Sequence, residues 1–424
     1  MRLLELHTGV DWLGQALNRE GHEVIQLVPQ ELVAQRRALA PDASVYGIDR
    51  WADRRQLDYL SRTMPNLDGV VCIDEGAMNA AAYLRGLRHL PGLSVVDAEA
   101  CTSKDAGKRR LREHHITVTE HRVVDRVEDI AAAAAEIGYP VVIKPDLGAG
   151  GTRTYRINSA AELDRMIKRK VFNRPTPDPT GRFRAAGFDG SLRDSTPIVI
   201  EAYVEGDEFW CDLLRHGGRT LLAAPGRYNT PLLQSLNRHQ WDTLLPQDDP
   251  DAHDIIEQAE RTADALSIST GAIHVEMFRT TSGWIVGEAA ARPGGGGIRP
   301  LYAKQHGADI ERAVAKLSIG ERPHLAPNPR YPVLTNLVIA APPGIVASVA
   351  TAQELCAVPG VVDAQVHLRV GQPTPGAFGT LSGAGRVTIA SRRLHHVDAD
   401  VDRVLQALRL RVEGDRSILA EAVR

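Results

Sequence analysis

The first hundred residues alternate short apolar runs with amphipathic helical stretches, and this alternation constrains the fold more than any other feature. "MRLLELH", "HEVIQLV" and "LDGVVCI" read as strands, while helical stretches run up to Leu17, near "QLDYLSRTM" and through "MNAAAYLRGLRHL". Such a pattern buries both faces of a parallel sheet under helices, so an N-terminal parallel α/β domain is expected over 1–101. No GxGxxG follows the first strand, and the dinucleotide fingerprint is therefore absent. A chain of 424 residues exceeds one ordinary core and calls for two or three domains.

A new unit starts near Thr102, with the apolar strands "YPVVIKPD", "TPIVIEAYVEG", "EFWCDLLR", "GAIHVEMF" and "GWIVGEAAAR". The intervening segment from Phe172 to Pro197 is rich in Pro, Gly and charge, and reads as a mobile, functional loop. After Asn328 to Pro332 come short strands and a closing helix, "DADVDRVLQALRLRV", whose Val401, Val404, Leu405 and Leu408 follow helical spacing. This reads as a small C-terminal α+β domain, 328–424, covering one side of the core.

With 43% hydrophobic and 24% charged residues the composition is that of a soluble globular protein. A net charge of −3 with dispersed basic residues argues against nucleic-acid and anionic-membrane partners. The N-terminus shows no apolar signal region and no 18-residue apolar run occurs, which predicts a cytoplasmic protein with no membrane partner. Cys72, Cys101, Cys211 and Cys356 are too far apart for a disulfide framework or a zinc motif. Of the 50 basic residues only seven are lysine, so a retained lysine marks a place where arginine does not serve.

Three stretches carry chemistry. In "GAIHVEMFRTTSGWIVGEAAAR" two strands flank a short turn ending in Gly283, and a three-residue hairpin loop would set Glu276 opposite or nearly opposite Glu288. Like charges across a ladder repel, and a shared divalent cation would turn that repulsion into a binding site. Alternation puts Glu288, Ala290 and Arg292 on one face, and His274 on the face of Glu276. In "GYPVVIKPDLGAGGTRTYRI" a buried strand ends at Lys144 before Gly148, Gly150 and Gly151, whose N–H groups could form an anion nest. Alone, such a loop is more often a flexible connection than a phosphate clamp, the rival reading of the hairpin is a pair of solvated charges, and "IVIEAYVEGDEF", with Glu201, Glu205 and Glu208, by itself is a strand meeting solvent.

Taken together, the order and spacing of these stretches resemble the ATP-grasp superfamily, in particular its carboxylate–amine (L-amino-acid or dipeptide) ligases. The resemblance covers most of the chain, including "TSKDAGKRRLREHHITV", "PPGIV" and "VPGVVDA". It implies an ATP-grasp core of two α+β subdomains over 102–327, with a lid at about 115–205. By motif, Lys104 and Lys144 would contact nucleotide phosphates, and Gly148, Gly150, Gly151 and Thr152 would cover them. The main chain of Ala202 and Val204 would meet adenine with Glu201 in support, and Glu208 would hold the ribose. Glu276 and Glu288 would carry one or two Mg²⁺ ions, with Mn²⁺ as a substitute. Arg292 would steady the transferred phosphoryl group. The family's usual asparagine between the last two positions is Ala290 here, which removes one metal ligand.

The implied reaction is ATP + carboxylate + amine → amide + ADP + phosphate, with small-molecule substrates and a homodimer as the expected assembly. The glycines Gly294, Gly295, Gly296 and Gly297 lie just beyond Arg292, after Pro293, where absent side chains would leave room for a carboxylate larger than alanine. Glu75, at a strand end of the N-terminal domain, and His274 are further substrate-contact candidates. Two rivals are an ATP-grasp enzyme with a carrier-protein thiol or carboxylation-type acceptor, and a nucleotide-binding protein without turnover.

Overall fold

The computed structural model describes residues 1–9, 11–148, 150–151, 153–174, 197–235, 238–374 and 384–414. Four strands open the chain: β1 (Arg2–Leu6), β2 (Glu23–Pro29), β3 (Val45–Ile48) and β4 (Gly69–Cys72). They form the parallel sheet β3-β2-β1-β4. Leu3, Leu4 and Leu6 are fully buried because helices cover both faces, as a parallel sheet requires. The short β3 and the helix Val33–Leu39 are not marked by the sequence alternation. Helix starts are set locally: Asp53 accepts from the Gln56 N–H and Ser103 from the Ala106 N–H, each satisfying one orphan donor of a first turn.

A second sheet, within the stretch expected to form the lid, holds β5 (His121–Val124), β6 (Val141–Pro145), β7 (Tyr155–Ile157) and β8 (Ile198–Ala202), in the order β5-β8-β6-β7. Its core joins Ile130, Ile143, Ile198 and Ile200 to Phe172, whose ring meets Tyr155 edge-on at 5.3 Å. The segment expected to be a mobile loop thus begins on a buried anchor, and residues 175–196 lie outside the described residues.

The third sheet is built on β9 (Asp207–His216), β10 (Arg219–Tyr228), β11 (Gln240–Leu244), β12 (Gly271–Thr280) and β13 (Gly283–Ala290). It continues through β14 (Val333–Ile339), skips β15 (Gly344–Ser348), and includes β16 (Val361–Val366). After the short β17 (Pro373–Thr374) it regains β18 (Gly385–Ser391), and β19 (Arg411–Glu413) follows. The order is β13-β12-β9-β10-β11-β14-β18-β16, while β17-β15-β19 form a small separate sheet. The expected boundary at 328 therefore falls in an irregular stretch, yet the central sheet runs across it through the β11–β14 pairing. Closing helix Val397–Leu408 buries Val401, Val404 and Leu408 against that extension.

A helix on the N-terminal sheet packs against the central sheet. Leu13 and Leu17 of helix Trp12–Arg19 share one apolar cluster with Trp210, Leu301, Tyr302 and Val314. Strand β10 was hidden by its Pro225-Gly226 pair, which reads as a turn. Gly226 is required because a Cβ there would lie 2.3 Å from the Trp210 ring. Among the described residues, no helix is long and apolar enough to cross a membrane. Cys72, Cys101 and Cys211 are buried free thiols and Cys356 is exposed.

Candidate active site

A cavity of about 520 Å³ opens where the three sheets meet. From the N-terminal sheet it takes Thr8, Asp74 and Glu75, which follow β1 and β4. The strand connections reverse direction between those two strands, the place where open α/β sheets bind ligands. From the second sheet and its loops come Lys144, Gly148, Gly150, Gly151, Glu201, Ala202 and Val204, and from the central sheet Glu208, His274, Glu276, Glu288 and Arg292. The described residues expected at the site, Lys104 and Gly294 to Gly296 included, all line this one cavity. Thr152 lies outside the described residues.

Glu276 and Glu288 are direct partners in the β12–β13 ladder, with an irregularity just beyond Glu276. The hairpin turn is tighter than expected: Thr280 pairs with Gly283, leaving two residues between, and Gly283 takes φ +114°. Glu276 accepts from the Tyr228 hydroxyl at 3.2 Å and lies 3.3 Å from His274 Nε2, while Asp212 Oδ1 sits 2.6 Å from His274 Nδ1. Burial disfavours the imidazolium, but Asp212 and then Glu276 outweigh it and raise His274 to about 9. Burial, followed by the charge of Glu276, pushes Glu208 up to about 8. The donor set of this corner is carboxylate oxygen, which suits a hard divalent cation. Among the described residues there is no ready-made group of three or more His, Cys, Asp or Glu able to hold a metal. Two facing carboxylates fit Mg²⁺, which leaves the rest of its shell to phosphate oxygens and water. Ala290 is buried opposite His274 and offers no ligand.

On the side of the second sheet, Glu201 is held between two lysines: Lys144 Nζ at 2.6 Å and Lys108 Nζ at 3.2 Å. Burial opposes its ionised form, yet Lys108 and Lys144 hold it down to about 2. Two buried cations on one carboxylate leave an excess of positive charge beside the glycine loop. Lys104 donates to the Gly148 carbonyl at 2.7 Å and lies 3.5 Å from Glu288. Lys108 also donates to the Gly287 carbonyl at 2.7 Å, tying helix Lys104–Glu113 to the strand that carries Glu288.

Arg292 donates from Nε and Nη2 to Glu75 Oε2, at 3.1 and 2.8 Å. Burial raises the Glu75 carboxyl while Arg292 pulls it back. Of the glycines after Arg292, only two leave open space. A Cβ on Gly294 would lie 2.7 Å from Ile298 and 3.0 Å from His274, and one on Gly297 would lie 2.5 Å from Asn336. Gly295 and Gly296 meet nothing within 4 Å, but Gly296 holds φ +62° and Gly297 φ +111°. The run is therefore mainly a backbone requirement: it turns the chain into helix Ile298–His306 with Gly297 as its cap. This corrects the expectation that four missing side chains simply enlarge the pocket.

Several site residues had no sequence signal because they come from remote strands. Asp212 binds both His274 and the Gly294 N–H, the latter at 2.8 Å. Tyr228, Asp242, Asn336 and Arg386 also line or support the cavity. Lys108 was detectable as one of the few lysines, one helical turn beyond Lys104.

Residues 137–300 match the ATP-grasp domain family. The chain carries an ATP-grasp domain. The L-arginine-specific L-amino acid ligase of Bacillus subtilis is 31% identical over 264 residues, which cover 62% of this chain and 60% of that relative. The D-alanine–D-alanine ligase of Corynebacterium jeikeium is 23% identical over 267 residues, covering 60% of this chain and 64% of its own. The chain thus spans less than two thirds of the length of either. Among solved structures, an L-amino acid ligase from Bacillus licheniformis aligns with TM-score 0.74 at 18% identity, covering 97% of this chain and 99% of that one. A carboxyaminoimidazole ribonucleotide synthase from Aspergillus clavatus, complexed with ATP, aligns with TM-score 0.69 at 16% identity over 96% and 97%. These likenesses show the fold: a mixed α/β chain whose parallel N-terminal sheet and antiparallel sheets match an ATP-grasp ligase fold.

Proposed function

We propose that the protein is an ATP-dependent ligase that phosphorylates a carboxylate to an acyl phosphate and joins it to an amine, releasing ADP and phosphate. The observation that carries this reading is the pairing of Glu276 with Glu288 on a cavity wall that also bears Arg292, Lys144 and Lys104. Phosphoryl transfer demands positioning and charge neutralisation more than covalent chemistry from the protein. Lys144 and Lys104 meet the nucleotide phosphates, with the N–H groups of Gly148, Gly150 and Gly151 above them. Glu201 orients Lys144, and the surplus positive charge beside it favours a bound polyanion. Ala202 already gives its N–H to the Glu120 carbonyl, so its own carbonyl and the Val204 main chain are left to read adenine. Glu208 holds the ribose hydroxyls.

Mg²⁺, when bound, supplies charge neutralisation across the phosphate oxygens. Glu276 and Glu288 would hold it, with His274 and Tyr228 fixing the orientation of Glu276. Arg292, steered by Glu75, receives the transferred phosphoryl group and then the acyl phosphate. The acyl phosphate must be kept from water in this cavity until the amine arrives. We place the enzyme in the cytoplasm, where ATP is supplied, and a homodimer is read directly by light scattering. The test is phosphate release by the purified protein with ATP and Mg²⁺ against paired amino acids and other acids. Release that needs both a carboxylate and an amine is expected. Release that never depends on either would overturn the reading.

A further inference from the structure

Ligation leaves one step without a residue: an alkylamine in neutral water is an ammonium ion and must lose a proton before it can attack. Asp242 sits on β11, where alternation points it to the same face as Gln240, and both line the cavity. It is only 2% exposed. Its Oδ1 accepts from Asn336 Nδ2 at 2.8 Å, and that same nitrogen donates to the Gly296 carbonyl at 3.1 Å. The carboxylate is thereby tied to the glycine run that follows Arg292. Its Oδ2 is buried and has no hydrogen-bond partner among the described residues.

A buried carboxylate oxygen without a donor is costly, and a ligand cation in the cavity would complete it. The groups that face Asp242 are His274 on β12, Asp212 on β9, Tyr228 on β10 and Arg386 on β18, besides the neutral Asn336 on β14. Burial pushes its carboxyl up to about 7, against the pull of Asn336, His274 and Arg386 and with the push of Asp212. A group so poised takes and returns a proton at working pH.

We propose that Asp242 is the catalytic base for the amine: Oδ2 receives the ammonium and takes one of its N–H protons. The inference rests on the ligase reading above. The freed nitrogen lone pair attacks the acyl carbon of the acyl phosphate. A C–N bond forms and the C–O bond to phosphate breaks, its electron pair leaving on phosphate. The leaving phosphate takes the second nitrogen proton, and Asp242 returns the first to solvent.

Hydroxylamine is uncharged at neutral pH and needs no base, so it separates the two halves of the reaction. The common L-amino acids serve in turn as carboxylate, with hydroxylamine or glycinamide as nucleophile, for the wild type, Asp242→Asn and Asp242→Ser. Both variants are expected to lose at least tenfold more in kcat for glycinamide than for hydroxylamine. Their glycinamide rates should also recover with rising pH in proportion to the free amine. Equal losses with both nucleophiles would mark a structural role and overturn the assignment, as would a wild-type ratio or a loss that pH does not relieve. A wild type that forms no hydroxamate with any acid overturns the ligase reading and the base with it. Hydroxamate formation with an unaltered glycinamide rate in the variants removes only the base.

Discussion

One methyl group added at successive positions of the glycine run should produce a graded response that depends on backbone angle more than on space. At Gly295 a Cβ meets no atom within 4 Å and φ is not in the left-handed range, so Gly295→Ala should change stability by less than about 0.5 kcal/mol. Gly296 has the same open surroundings but φ +62°, and an L-residue there costs about 1 to 2 kcal/mol. Gly297 combines φ +111° with Asn336 Oδ1 at 2.5 Å from the added carbon. Moving Asn336 breaks its bond to the Asp242 carboxylate, a hydrogen bond to a charged group worth about 1.5 to 3 kcal/mol. With the backbone strain of about 1 to 2 kcal/mol, Gly297→Ala should cost roughly 2.5 to 5 kcal/mol. Urea unfolding midpoints at constant m measure the series. In turnover, Gly295→Ala should penalise large carboxylates selectively, while Gly296→Ala should lower kcat/KM for all of them alike. If Gly297→Ala is as mild as Gly295→Ala, or if Gly296→Ala discriminates by substrate size, the backbone explanation is wrong.

Lys144→Ala or Glu288→Gln should lower ADP formation by about 10²-fold or more, because each removes charge compensation at the transferring phosphate. Near-wild-type turnover in either, with a confirmed substrate, would refute their roles. Glu5, buried under the N-terminal sheet, accepts from the Gly14 N–H at 2.9 Å, and burial raises its carboxyl to about 8. The folded state therefore binds this proton more tightly than the unfolded chain does, and the associated stability is full below about 4.5 and lost as pH rises towards 8. Glu5→Gln, which keeps the acceptor without the charge, should melt higher than the wild type at pH 8.5 and show a flatter pH profile; parallel profiles would contradict this.

How much of the site could be read from the sequence depends on how near in the chain its parts lie. The Glu276–Glu288 pairing was legible because a short turn joins two alternating strands, so register follows from local spacing. Lys144 and the glycine loop, and Arg292 and its glycines, were legible for the same reason. Asp212, Tyr228, Asp242 and Asn336 were not, because each is an unremarked polar residue in a strand whose neighbours are set by sheet order. Asp242 reaches the glycine run only because β14 pairs with β11 and brings Asn336 alongside. The same pairing explains why the residues after 328, expected as a separate covering domain, extend the central sheet. For the glycines, the sequence showed that side chains had to be absent, while the φ values and the crowding by Ile298, His274 and Asn336 show why.

The central claim is that a carboxylate oxygen becomes part of the released phosphate through an acyl phosphate. A carboxylate substrate labelled with heavy oxygen, turned over with ATP and an amine, reports this directly by mass spectrometry of the products. The account predicts one labelled oxygen transferred to phosphate for each amide formed. Unlabelled phosphate alongside amide formation would contradict it.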